Sequence, residues 1–250
     1  MSHNQKTELL KEFDKAKIIN FINKENLLIH ALLYNKREEI NLKNGKIDFL
    51  IRNTDLKNSL ENGWNALMVV LVTNLSQEIN ITSEQLDYLL ENSNIKHQNK
   101  LGETALIMIL QGNKTNNINI NKKQLDYLIN NSNIKTINKF GFNALFYALA
   151  ASEAENIKLN KQQWLKLIKE SFFDSRILAD SIYIYLADMK MDWRKEKILK
   201  ILAGNKNLIK HIVDNKRLTD KVKNKILAET DKIIINKAIN SSIKKIRNKI

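Results

Sequence analysis

The sequence predicts an all-α protein, a helical-repeat solenoid of helix–turn–helix units with helical caps at both ends. Three observations carry that prediction. The 250 residues include no Pro and only six Gly, a composition that suits a run of helices better than proline-marked turns. Blocks of sequence recur at a fixed offset of 39 residues, the mark of a repeat architecture. Within each block, apolar residues fall three and four apart, so each carries helices with a buried stripe.

Residues 1–23 come first. Leu9, Leu10, Phe13, Ile18 and Phe21 among charges predict one amphipathic helix, a terminal unit with a polar outer face. Four repeats follow over residues 24–179. Asn62-Gly63-Trp64-Asn65-Ala66-Leu67 aligns without gaps on Leu101-Gly102-Glu103-Thr104-Ala105-Leu106 and on Phe140-Gly141-Phe142-Asn143-Ala144-Leu145. Gln85-Leu86-Asp87-Tyr88-Leu89 aligns in the same way on Gln124-Leu125-Asp126-Tyr127-Leu128. Weaker copies hold register upstream at Asn26-Leu27-Leu28 and downstream at Gln163-Trp164.

Each repeat reads as two helices and an extended finger. Helix A starts after the glycine turn, with Asn65, Thr104 or Asn143 placed to cap it, and is apolar nearly all round, as in a helix packed between neighbours. Helix B opens with Thr82, Asn121 or Asn160, three residues before Gln85, Gln124 or Gln163, the spacing of a capping box. Its apolar stripe is Leu86, Leu89 and Leu90, repeated as Leu125, Leu128 and Ile129. Asn92 and Asn131 stand where helix B stops and suit a left-handed end.

Residues 180–250 leave the repeat but stay helical, with patterns at Ile182 to Met191, Trp193 to Ala203, Leu208 to Val213 and from Thr219 onward. Charge concentrates here. Arg194 to Ile250 holds 17 basic and five acidic residues, whereas the preceding 193 hold 24 and 22. In the last helix Val222, Ile226, Ile233, Ile239, Ile243, Ile246 and Ile250 fall mostly three, four or seven apart. Lys221, Lys225, Lys232, Lys244, Lys245 and Arg247 are among those filling the other faces. Such a helix suits a polyanion, nucleic acid or an anionic membrane, or it docks its Ile stripe on the last repeat while the lysines solvate the outside. About 42% of the chain is Asn, Ile or Lys, all with A/T-rich codons, so part of the basic character reflects a low-GC genome.

The stretch from Leu89 through Ile95 to Gly102-Glu103-Thr104-Ala105-Leu106 resembles the ankyrin repeat, a turn plus two helices with a Gly-x-Thr-Pro-Leu-His core. The likeness covers residues 24–179. It departs from the family where Ala66, Ala105 and Ala144 replace the Pro and where Met68, Ile107 and Phe146 replace the His. The period is also six residues longer, with the surplus between helices around Ser76 to Thr82 and Asn113 to Asn121. A HEAT- or armadillo-like solenoid is the alternative.

Enzymatic chemistry finds no support. No Cys is present, which excludes thiolate nucleophiles, disulfides and Cys-containing metal sites. The glycines form no phosphate-binding loop, and His3, His30, His97 and His211 are too scattered for a metal site. His97 reads as a solvated loop residue, Asp87 and Asp126 as exposed helix-surface residues, and Tyr88 and Tyr127 as packing between repeats. No cofactor or small-molecule substrate is expected. The first residues lack the apolar core of a signal peptide, and the longest apolar run, Ala66 to Val72, is seven residues, too short to span a bilayer.

The expected function is a non-catalytic protein–protein interaction scaffold. The ankyrin resemblance implies that finger tips grip the partner, at Trp64, Leu101, Glu103, Phe140 and Phe142 beside the turn glycines; the same residues otherwise pack between fingers. With no signal peptide and no span expected, the protein is expected in the cytoplasm, while the resemblance together with the low-GC composition implies an effector translocated into a host cell. Lys244-Lys245-Ile246-Arg247-Asn248-Lys249 is loosely similar to type IV secretion signals.

Overall fold

A computed structural model describes the chain apart from residues 22–25, 36, 44, 76–80, 112–119, 154–158, 172–181, 185, 188, 190–191 and 248–250. Every regular element among the described residues is an α-helix, and one isolated antiparallel bridge joins Ser59 and Asn65. The chain forms two compact units, Met1–Leu167 and Ile168–Ile250.

The first unit begins with two helices where one was expected. Helix α1 (His3–Glu12) is opened by a capping box between Ser2 and Gln5, and stops where Phe13 turns left-handed at φ 40°. Asp14 then accepts from the Ala16 N–H at 2.9 Å and starts α2 (Lys15–Ile19). A cap and an edge-on contact between the Phe13 and Phe49 rings, 5.7 Å apart, hold the break against the continuous amphipathic pattern.

Four helix pairs follow: α3 (Leu27–Tyr34) with α4 (Lys46–Asn53), α5 (Ala66–Leu75) with α6 (Ser83–Asn92), α7 (Ala105–Gln111) with α8 (Lys122–Asn131), and α9 (Ala144–Glu153) with α10 (Lys161–Glu170), whose last three residues belong to the second unit. The A helices pack in sequence, α3 on α5, α5 on α7 and α7 on α9. The B helices do the same from α4 through α6 to α8, and α1 covers α3. Burial follows the period. Leu67, Leu106 and Leu145 on the A helices and Leu89, Leu128 and Leu167 on the B helices are all fully buried. The surplus expected between the helices falls mostly at 76–80 and 112–119, outside the described residues.

Local hydrogen bonds explain why each helix starts where it does. Asn65, Thr104 and Asn143 accept from the N–H groups of Met68, Ile107 and Phe146, at 3.0, 3.3 and 3.0 Å. Asn121 and Gln124 exchange two bonds, Asn121 N–H to Gln124 Oε1 at 3.0 Å and Gln124 N–H to Asn121 Oδ1 at 2.9 Å. Thr82 with Gln85 and Asn160 with Gln163 repeat that box. The B helices end differently from expectation. Asn53, Asn92 and Asn131 stay helical and each donates its side-chain amide to the carbonyl four residues back, at 2.8 Å. Extended caps at Thr54, Ser93 and Ser132 then lead into the fingers, so no left-handed residue is needed.

In the second unit, residues 182–184 are helical, and α11 (Trp193–Ala203), α12 (Lys206–Asp214) and α13 (Asp220–Arg247) follow. Asp192 and Asn205 cap α11 and α12, and Thr219 accepts from the Val222 N–H at 3.4 Å to open α13. Helix α11 packs on α12 and α13, and α12 on α13. An ion pair pins α11 to α13: buried Lys195, 1% exposed, places Nζ 2.8 Å from Oε2 of half-buried Glu229 and donates to the Met189 carbonyl at 3.1 Å. The expected Ile stripe of α13 splits in two. Ile226 is buried and Val222 and Ile233 are half-buried, whereas Ile239 and Ile243 are exposed.

Candidate interaction surface

Each finger is a tight hairpin built on a glycine. In the second, the Asn99 N–H donates to the Glu103 carbonyl at 3.0 Å, and the Gly102 N–H donates to the Asn99 carbonyl at 2.9 Å. The Asn99 side-chain oxygen also accepts from the N–H groups of Leu101 and Glu103, both at 2.9 Å. Asn138 does the same for Phe140 and Phe142, at 3.1 and 3.0 Å. Gly63, Gly102 and Gly141 lie at φ 82°, 76° and 84°, where an L side chain is strained. Space forbids one too, since a Cβ on Gly63 would come within 2.8 Å of the Asn99 Cα.

Successive fingers are tied by bonds that recur with the period. The Lys100 N–H donates to the Asn62 carbonyl at 2.9 Å, and the Lys139 N–H to the Leu101 carbonyl at 2.8 Å. His97 corrects its expected solvated role: it is half-buried, with Nε2 2.7 Å from the Gly63 carbonyl, to which the ring donates. A second ladder runs along the B helices. Gln124 Nε2 donates to Asp87 Oδ1 at 2.9 Å, and Gln163 Nε2 to Asp126 Oδ1 at 2.8 Å. Asp87 and Asp126 are therefore half-buried acceptors that join repeats, not freely exposed carboxylates. Tyr88 carries the guanidinium of Arg52, from the preceding repeat, 5.0 Å above its ring.

The five finger residues singled out by sequence divide into three kinds. Leu101 and Phe140, one repeat apart, are 40% and 58% exposed. Trp64 and Phe142 are half-buried. Phe142 stacks on Phe146 with centroids 4.1 Å apart, and meets Tyr147 edge-on at 5.9 Å. Glu103 is buried, and its carboxylate accepts from Asn99 Nδ2 at 2.9 Å, so it braces its own finger instead of facing outward. Phe146 and Tyr147 extend the aromatic cluster, and spacing from the glycine did not single them out. The Tyr147 hydroxyl bonds Asn138 Nδ2 at 3.0 Å, and burial raises its pKa above the usual tyrosine value.

Of the basic candidates, Lys221, Lys225 and Lys232 are exposed on α13. The side chains of Lys244, Lys245 and Arg247 lie outside the described residues. Among the described residues, no group of three His, Asp or Glu is placed to hold a metal ion, and no helix is long and apolar enough to cross a membrane. In comparisons with known proteins, no family model, no curated protein and no solved structure matches the chain.

Proposed function

We propose that residues 24–179 form an ankyrin-like solenoid that acts as a non-catalytic protein-interaction scaffold. Two-helix units joined by hairpin fingers, with bonds recurring at the 39-residue offset, support the architecture. The observation that carries the function is the pairing of Leu101 with Phe140. They are equivalent residues on adjacent fingers, their backbones are linked through the Lys139 N–H, and both side chains are exposed. Apolar groups held rigidly on neighbouring turns present a preformed contact, so little conformational entropy is lost on binding.

The test is the double variant Leu101→Ala with Phe140→Ala. Aromatic or aliphatic anchors of this kind contribute about 2 kcal/mol or more in an interface, so binding of a captured partner should fall by at least roughly 30-fold. Thermal stability should hardly move, because neither side chain is core. Unchanged binding would place the partner surface elsewhere, and an unfolded double variant would return both residues to the structural framework.

A further inference from the structure

The two halves of α13 present different faces. At 3.6 residues per turn, Ile226, Thr230 and Ile233 share one side, where Ile226 and Thr230 are buried beneath α11 and α12. Ile235, Ile239 and Ile243 share another side, spaced four apart and roughly 150° round the axis from the first. These three are exposed at 56%, 51% and 43%. Isolated exposed apolar residues are ordinary, but three in line on one helix face mark a contact surface. In sequence, Ile246 keeps the spacing.

Charge decides what covers that stripe. Residues 232–250 contain six basic residues and no acidic one. Helical register sets Lys232 on the stripe and Lys245 and Arg247 at its two edges, whereas Lys237 and Lys244 fall on the opposite side. A second copy docked through the same face would bring two such basic segments together without a single carboxylate between them, which is repulsive. An anionic lipid surface satisfies both features. Isoleucines enter the boundary between headgroups and acyl chains, and long lysine stems carry their charges out to the phosphates. Each lysine near such a surface adds attraction that falls off within a Debye length.

From these positions we infer that the second half of α13 is an interfacial helix that binds an anionic lipid surface, with Ile235, Ile239 and Ile243 inserted and Lys232, Lys245 and Arg247 beside them against lipid phosphates. The helix lies in the plane of the surface, since its apolar content is a stripe and not a span. This site is separate from the finger surface and does not depend on its function.

The full chain is sedimented with vesicles of phosphatidylcholine alone and with vesicles of equal parts phosphatidylcholine and phosphatidylglycerol. Binding is expected to the second and not the first. The charge-neutral variant Ile235→Gln/Ile239→Gln/Ile243→Gln should lose about tenfold or more in affinity with an unchanged circular dichroism spectrum, and Lys232→Gln/Lys245→Gln/Arg247→Gln should weaken binding and flatten its salt dependence. Failure to bind phosphatidylglycerol vesicles overturns the inference. So does an Ile variant that binds as well as wild type, which would leave a purely electrostatic site, or one that dissociates a dimer in sedimentation velocity, which would make the stripe a self-contact. Because the chain has no Cys, Ile239→Cys labelled with a polarity-sensitive dye reports insertion directly. A blue shift on anionic vesicles is expected, and an unshifted spectrum refutes insertion.

Discussion

The two units solve the same packing problem with different means. In Met1–Leu167 the polar bonds that join successive repeats are neutral or singly charged, and they recur: finger to finger at Lys100 and Lys139, helix to helix at Gln124 and Gln163. Among the described residues of Ile168–Ile250, a partly buried ion pair, Lys195 with Glu229, links α11 to α13 beside an apolar seam. Repetition spreads stability over nearest-neighbour contacts, so loss of one bond is shared out. A single buried charge pair concentrates the risk, because removing one partner strands the other. Lys195 is buried with its carboxylate, whereas His30 is buried near other cationic groups.

The largest effect is expected from Glu229→Leu, which leaves Lys195 buried with the Met189 carbonyl. The expected loss is about 3 kcal/mol, read from urea midpoints, while Lys195→Met/Glu229→Leu should recover most of it. Equal destabilisation in the single and double variants would show that packing, not charge, is what the pair contributes.

Next in size is the pH response of the first unit. His30 has its pKa lowered from 6.5 to about 4, first by burial and then by the positive charges of His3 and Lys6, with Glu38 opposing. Its Nε2 lies 3.2 Å from the Thr7 hydroxyl, and its ring is 4.9 Å from His3 and 4.8 Å from Tyr34. The fold favours the neutral ring, so the unfolded chain takes up the proton first. This contribution is fully present above pH 6.5 and is lost as pH falls towards about 4. Allowing for solvent reaching the edge of the cluster, the loss amounts to about 2 kcal/mol. His30→Gln should remove that slope from the stability–pH curve; an identical slope in the variant would assign it to other groups.

The smallest effect sharpens the contrast most directly. Asp87→Ala and Gln124→Ala, singly and together, should show a coupling of about 1 kcal/mol in a double-mutant cycle, the size of one partly buried hydrogen bond to a carboxylate. Additive losses would mean that the ladder follows from the packing and adds nothing to it.

Features with short-range causes were legible in the sequence. The boxes at Asn121 and Gln124 depend on three-residue spacing, and the buried leucines on the period, so the order of residues along the chain is enough to place both. Asp87 and His97 depart from their sequence expectations because their surroundings are set in other repeats, and Glu103 because its own hairpin folds over it. Asp87 meets a glutamine of the next repeat, His97 reaches the glycine carbonyl of the finger before it, and Glu103 is covered by the hairpin that Asn99 closes. The broken first helix follows from the same limit, since a ring contact between Phe13 and Phe49 joins residues far apart in sequence.

Sequence alone determined the all-helical character, the 39-residue period, the helix starts and the core leucines of the repeats, because propensity, capping and periodicity act within a turn or two of chain. Tertiary structure alone decided that Leu101 and Phe140 face outward while Glu103 does not, and that the isoleucines of α13 divide into a docked face and an exposed one. Exposure depends on which neighbour covers a residue. Apolar and charged side chains at equivalent repeat positions look alike in sequence until the adjacent elements are packed against them.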